Sequence, residues 1–220
     1  MATVVEHLLA IGHSDPLTGY HPTRLSRLLA SPIASYAIPM CLWIIAWQLQ
    51  AVTSAFVTSP LGLDVIYFTL GARAFSIMIF GFRGVIGLIL GSLITNCFVG
   101  SAQYPDPLWF LTSYALANTL TVYALIEIVE HYFCDSPDDY GFSMRQMLGI
   151  MFVSGIVVST IHEIFFRLIR PTPVPYDFSP DSFLIQIASR VVGGMLFIMF
   201  AILAGKLLFS KIDLENSERI

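Results

Sequence analysis

Charge is what this sequence has least of. Asp, Glu, Lys and Arg make up 12% of its 220 residues, about half the roughly 25% of an ordinary soluble domain. So little polar surface cannot cover a water-soluble globule of this length, and most of the chain must face lipid. Basic residues are scarcer still. Eleven Lys and Arg against 15 Asp and Glu leave a net charge of −4, which excludes the basic footprint of a nucleic-acid binder. The three cysteines, Cys41, Cys97 and Cys134, are odd in number and far apart. Neither a disulfide framework nor a CxxC zinc site follows from them.

Catalytic motifs are missing as well. His162-Glu163 is followed by Ile164-Phe165-Phe166, so there is no HExxH zinc pair. No Walker A loop and no G-x-S-x-G elbow occurs. His131 and His162 are expected at opposite membrane faces, which gives no two-histidine metal or haem site. The 17 Phe and 8 Met read as lipid-facing and packing residues. The expectation is a chain that is not an enzyme and holds no metal or cofactor.

What is present is apolar sequence. Hydrophobic residues reach 56% and mean hydropathy is +0.76. A span needs ~20 residues to cross ~30 Å of hydrocarbon. Six apolar segments are candidates: Tyr36–Val57, Val65–Phe80, Val85–Val99, Leu108–Val129, Met147–Leu168 and Phe183–Phe209. The breaks between them hold the turn formers, among them Ser59-Pro60, Gly81-Phe82-Arg83-Gly84 and Tyr104-Pro105-Asp106-Pro107. The fold class expected is all-α, a polytopic membrane helix bundle of about six spans. Segments two and three are short, at 16 and 15 residues. They are either two thin spans or a re-entrant hairpin buried in protein. Gly87 and Gly91 form a GxxxG pattern with Gly84 one turn before it, a spacing that lets helix backbones approach closely.

Residues 1–32 differ from the rest. They carry three of the five histidines (His7, His13, His21) together with Arg24 and Arg27. No short apolar run followed by a small-residue cleavage site marks a signal peptide here. Short helices are expected over about Thr3–Ile11 and from Pro22, the second lying at the membrane interface. The division expected is an N-terminal interfacial segment over 1–32, a bundle over 33–210 and a cytoplasmic tail over 211–220.

Positive residues favour the cytoplasmic side. With six spans and both termini inside, the inner regions hold Arg24, Arg27, Arg83, Arg145, Lys206, Lys211 and Arg219. The outer regions hold Arg167 and Arg170, while Arg73 and Arg190 fall within spans. The resulting bias of seven to two predicts N-in and C-in.

That orientation gives each intramembrane polar residue a depth at ~1.5 Å per residue. Arg73 lies about 12 Å and Arg190 about 10 Å from the outer ends of their segments. His162 and Glu163 sit in the last turns of outward-going segment five, Asn96 in the last turn of segment three, and Asn118 near mid-depth in segment four. Ionisable groups there are expensive, yet they gather in one leaflet. The expectation is an outward-facing polar cavity in which Arg73 and Arg190 attract an anion. Glu163 is the nearest counter-ion, with Asp64 helping, and His162, Asn96 and Asn118 line the site. Structural alternatives stand beside each assignment. Arg73 suits an interhelical ion pair, Arg190 can snorkel to the interface, Glu163 and Arg167 can pair at i,i+4, and the asparagines can join helices.

The stretch from Phe68 to Asn96 is similar to the second and third spans of the MASE1-type bacterial membrane-sensor domains. The matching positions are Gly71, Phe80-Gly81-Phe82-Arg83, Gly87, Gly91 and Asn96, with a weaker likeness at Arg190-Val-Val-Gly193-Gly194. The family's usual Pro-Pro pair ahead of the first glycine is Phe68-Thr69 here. The resemblance implies a bacterial inner-membrane module that receives a small signal and passes it to a partner. Two functions are therefore expected to compete. One is a module binding a small, anionic ligand and handing signal or substrate to another membrane protein. The other is a structural accessory subunit of a larger membrane complex.

Overall fold

A computed structural model describes residues 31–56, 66–98, 106–133, 144–171 and 179–217, the side chains of 98, 133, 144 and 205–217 excepted. The expected interfacial helices of the first 32 residues lie almost wholly outside these, as does Asp64. Every described element is helical: α1 (Pro32–Phe56), α2 (Phe68–Phe98), α3 (Leu108–Phe133), α4 (Met144–Ile164), a π-helical turn (Phe165–Ile169) and α5 (Pro180–Ser217). Five helices are long and apolar enough to cross a membrane. Two of them begin on a serine cap. Ser31 Oγ accepts from Ala34 N at 3.1 Å ahead of Pro32, and Ser179 Oγ accepts from Ser182 N at 3.1 Å ahead of Pro180. Both are the arrangement of a capping side chain followed by proline at the first helical position.

The second and third of the six apolar segments adjoin in α2. They form one helical stretch, broken only at Gly81 (φ 54°, ψ −137°). That positive φ is open to glycine and strained for other residues. The break reverses the chain. A straight helix would hold Arg73 and Thr95 about 33 Å apart, yet both touch Trp43 of α1. The Arg73 guanidinium lies 4.7 Å from its ring centroid, and its Nε1 donates to Thr95 Oγ1 at 3.1 Å. A Cβ on Gly84 would meet Ser76 O at 2.6 Å, so the two arms press together just above the turn. The first arm runs antiparallel to α1, with Thr69 beside Gln50 and Arg73 beside Trp43. The second runs parallel to it, with Gly87 on Tyr36 and Gly91 on Met40 and Trp43. The GxxxG face of the second arm is thus covered by α1 of the same chain.

Helix α2 is the hub and touches each of the other four helices. The main apolar core joins Ile77, Val85 and Leu88 of α2 with Val122 and Ile126 of α3, Met147, Ile150 and Met151 of α4, and Ile198 of α5, and extends along the bundle to Trp43, Leu70, Ala74 and Val158; a smaller cluster joins Ala46, Phe68, Ala72 and Phe197. Helix α5 continues to Ser217, into the stretch expected as a tail from 211. No Gly or Pro follows Gly205 to stop it.

Candidate functional site

The end of the bundle opposite the α2 turn is polar, and glycine seats it. A Cβ on Gly71 would collide with the backbone of Gly194, and one on Gly193 would lie 2.5 Å from the backbone of Tyr67. Tyr67 N donates to Ser189 O at 3.1 Å across the same crossing. The first turn of α2 is thereby held directly on α5. Arg73 and Arg190 stand next to this contact, one on each helix.

Both arginines are buried, at 6% and 4% exposure. That excludes snorkelling for Arg190, whose head turns into the bundle. Its Nη1 donates to Ser159 Oγ of α4 and, at 3.2 Å, to Gln186 Oε1, while its guanidinium lies 5.1 Å from the Tyr67 ring centroid. Arg73 rests on Trp43, and its Nε has no hydrogen-bond partner. Among the described residues neither arginine forms an ion pair. A cation–π contact contributes about 2 kcal/mol when desolvated. Burying a cation costs several kcal/mol, so stacking on a ring offsets only part of that cost.

Glu163 is not the direct counter-ion expected for either arginine. Gln186 stands between: its Nε2 donates to Glu163 Oε1 at 3.2 Å while its Oε1 accepts from Arg190. Glu163 Oε2 lies 3.3 Å from Arg167 Nε, in the i,i+4 pair, and lacks hydrogen-bond geometry there. Arg170 has its own acid, donating from Nε to Asp106 Oδ1 at 2.7 Å. Glu163 and Asp106 thus each face an arginine other than Arg73 and Arg190, and the exposed Asp181 forms no ion pair with either among the described residues.

Beside this lies an aromatic group. His162 Nδ1 and Tyr114 Oη are 2.8 Å apart, and the imidazole stacks on Phe166 at 4.3 Å. The Arg170 guanidinium also lies over Phe166, 5.0 Å from its ring centroid. The π-helical turn makes this possible. Its i→i−5 bond, Arg170 N to Phe165 O at 2.8 Å, ends α4 with Phe166 against His162 and Arg170 against Asp106. Such turns recur at functional sites.

Asn118 is buried; its Nδ2 donates to Tyr114 O at 2.9 Å and its Oδ1 has no partner. Asn96 is not drawn in, its amide donating to Ser92 Oγ of its own helix at 3.3 Å. Buried hydroxyls without partners continue from Arg73 along the interior: Ser76 on α2, Thr119 on α3 and Ser154 on α4. Native interiors leave few polar groups unsatisfied, and those left mark water, ions or function. Among the described residues no group of three His, Cys, Asp or Glu gathers to hold a metal.

Sequence reasoning missed Gln186, Tyr114, Trp43 and Tyr67. Gln186 and Tyr114 carry a legible signal, each lying one turn (i,i+4) from a residue already singled out, Arg190 and Asn118. Trp43 and Tyr67 carry none, since which ring lies under which guanidinium depends on how α1, α2 and α5 cross. No protein-family model, curated protein or solved structure matches the chain.

Proposed function

We propose that this multi-pass membrane protein binds a small anion between Arg73 and Arg190 and passes the signal or substrate to a partner protein. One observation carries the reading: two buried guanidinium groups, each laid on an aromatic ring, with no described carboxylate paired to either. Arginine's planar fork suits carboxylate and phosphate recognition, and charge-assisted bonds are the strong ones. The unpartnered groups of Ser76, Asn118, Thr119 and Ser154 favour a hydrated interior beside the arginines. In this reading each arm of α2 is a crossing, which gives six. The positive-residue bias then sets both termini in the cytoplasm and the polar end outside. The likeness to MASE1-type domains supports a bacterial inner-membrane module of the sensing kind.

A second reading has its own support. The chain Arg190–Gln186–Glu163–Arg167 ties α4 to α5 as structural glue would in an accessory subunit. Substitution separates the two. With a binding role, Arg73→Gln and Arg190→Gln leave a monodisperse protein that has lost stabilisation by added anions. With a structural role the variants misassemble, Glu163→Gln partly rescues Arg190→Gln, and the protein purifies in a stoichiometric complex seen by mass spectrometry. Orientation is tested by cysteine labelling: reagent added outside reaches a cysteine at Ser101 and spares one at Ser136.

A further inference from the structure

The balance of charge at the polar end goes one step beyond a generic anion. At that end Arg73 of α2, Arg167 of the π turn, Arg170 just after it and Arg190 of α5 meet two carboxylates in ion pairs, Glu163 and Asp106, while Asp181 at the start of α5 is exposed and forms no ion pair among the described residues. Arg167 faces Glu163 at 3.3 Å and Arg170 faces Asp106 at 2.7 Å, so those two pairs are closed. Arg73 and Arg190 remain, each more than nine-tenths buried. Arg190 bonds only neutral groups, Ser159 and Gln186, and Arg73 Nε bonds none. A guanidinium is a cation with donors only and no acceptor. Each of these two buried guanidinium groups therefore carries a positive charge that no described carboxylate pairs.

We propose that the Arg73/Arg190 site selects a small dianion, a phosphate, phosphate monoester or dicarboxylate, over a monocarboxylate, a halide or a phosphodiester headgroup. The inference rests on the anion-binding reading above and adds the charge of the ligand to it. Trp43 and Tyr67 cover one face of each guanidinium, which leaves the N–H edges as the recognition surface. Arg73 Nε is one such donor, and the unpartnered Ser76 hydroxyl stands one turn along the same helix. Arg190 commits Nη1 to Ser159 and Gln186, which fixes its plane. A ligand with one charge would leave one guanidinium uncompensated where water is scarce. An ordinary phosphodiester lipid head carries a single charge and fails by the same count.

The test uses the full chain in neutral-lipid nanodiscs at pH 7.5 and constant ionic strength, with calorimetric titration and thermal unfolding. The probes are inorganic phosphate, succinate, acetate, chloride and a short-chain phosphatidylglycerol. Phosphate or succinate is expected to bind about tenfold or more tightly than acetate, one lost charge-assisted bond being worth at least that factor. Arg73→Gln is expected to remove that preference while acetate binding persists, because one positive charge remains. Arg167→Gln, whose charge is already paired, is expected to keep the preference. Arg73→Lys serves if the Gln variant does not fold. It keeps the preference for two charges and weakens phosphate binding through loss of the fork. Equal binding of acetate and phosphate, or phosphatidylglycerol competing as well as phosphate, overturns the dianion assignment and leaves anion binding standing. No response to any anion overturns both.

Discussion

The two ends of the bundle are packed by different rules. Where α2 turns, Ile77, Val85, Leu88, Val122, Met147 and Ile150 meet as apolar surfaces. At the other end a smaller apolar cluster of Ala46, Phe68, Ala72 and Phe197 is accompanied by glycine contacts, stacked rings and bonds to charged groups, from Gly71 on Gly194 to Gln186 between Arg190 and Glu163. In lipid the apolar end gains little from desolvation, since the alternative surroundings are equally apolar, and close packing is what it contributes. The polar end supplies directional bonds, and it holds two buried arginines that no described carboxylate pairs. Close apolar packing is therefore concentrated at one end of the same five helices and directional bonding at the other.

The largest effect is expected where the polar end is seated. Gly71→Leu drives a side chain into the Gly194 backbone and should prevent recovery of monodisperse protein by size-exclusion chromatography. Gly149→Ala, with nothing within 4 Å of the new methyl, should behave as the parent. Survival of Gly71→Leu with an unchanged melting temperature would break the claim that glycine sets this crossing.

Gln186→Leu comes next. It removes two bonds to charged groups, one to Arg190 and one to Glu163. The expected loss is about 3 kcal/mol, taking roughly 1.5 kcal/mol for each, read by reversible denaturation in mixed micelles. Ile150→Ala tests the apolar end. Ile150 is fully buried, and its truncation should cost about 2 kcal/mol, mainly through the cavity left behind, since transfer of the side chain to lipid contributes little. Anion binding should be unchanged. A loss of binding in Ile150→Ala would show that the ends are not independent.

The smallest change sharpens the boundary between them. Ser154 is buried and its hydroxyl has no partner. Ser154→Ala removes an unsatisfied group and should shift stability by less than about 0.5 kcal/mol or raise it slightly. A loss above about 1.5 kcal/mol, the measure of a made hydrogen bond, would show that Ser154 has a partner in the membrane and that the hydrated interior reaches it.

Much of this was legible in the residues. Apolar segments of span length located α1, α3, α4 and α5, and the small-residue pattern at Gly84, Gly87 and Gly91 marked where backbones come close. The gathering of Arg73, Arg190, His162, Glu163 and Asn118 at one end could be read from depth alone. The assignment of Glu163 as the arginines' counter-ion failed because depth does not fix direction. Glu163 and Arg190 are on adjacent helices at similar height, and Gln186 occupies the space between them. Asn96 shares the depth too, yet its helix face turns its amide to Ser92.

Composition, segment length and the fixed rise of a helix determined by themselves that the chain is a helical membrane protein whose in-span arginines, Arg73 and Arg190, lie towards the same end. Each of those properties adds up locally along the chain. Tertiary structure alone decided that Gly81 turns α2 back on itself, that α1 fills its glycine face, and that Arg73 and Arg190 lie on Trp43 and Tyr67 without an acid among the described residues. These depend on the rotation of each helix about its axis and on its crossing angles. Both are set by side-chain fit between segments distant in sequence, so no single stretch of the chain contains them.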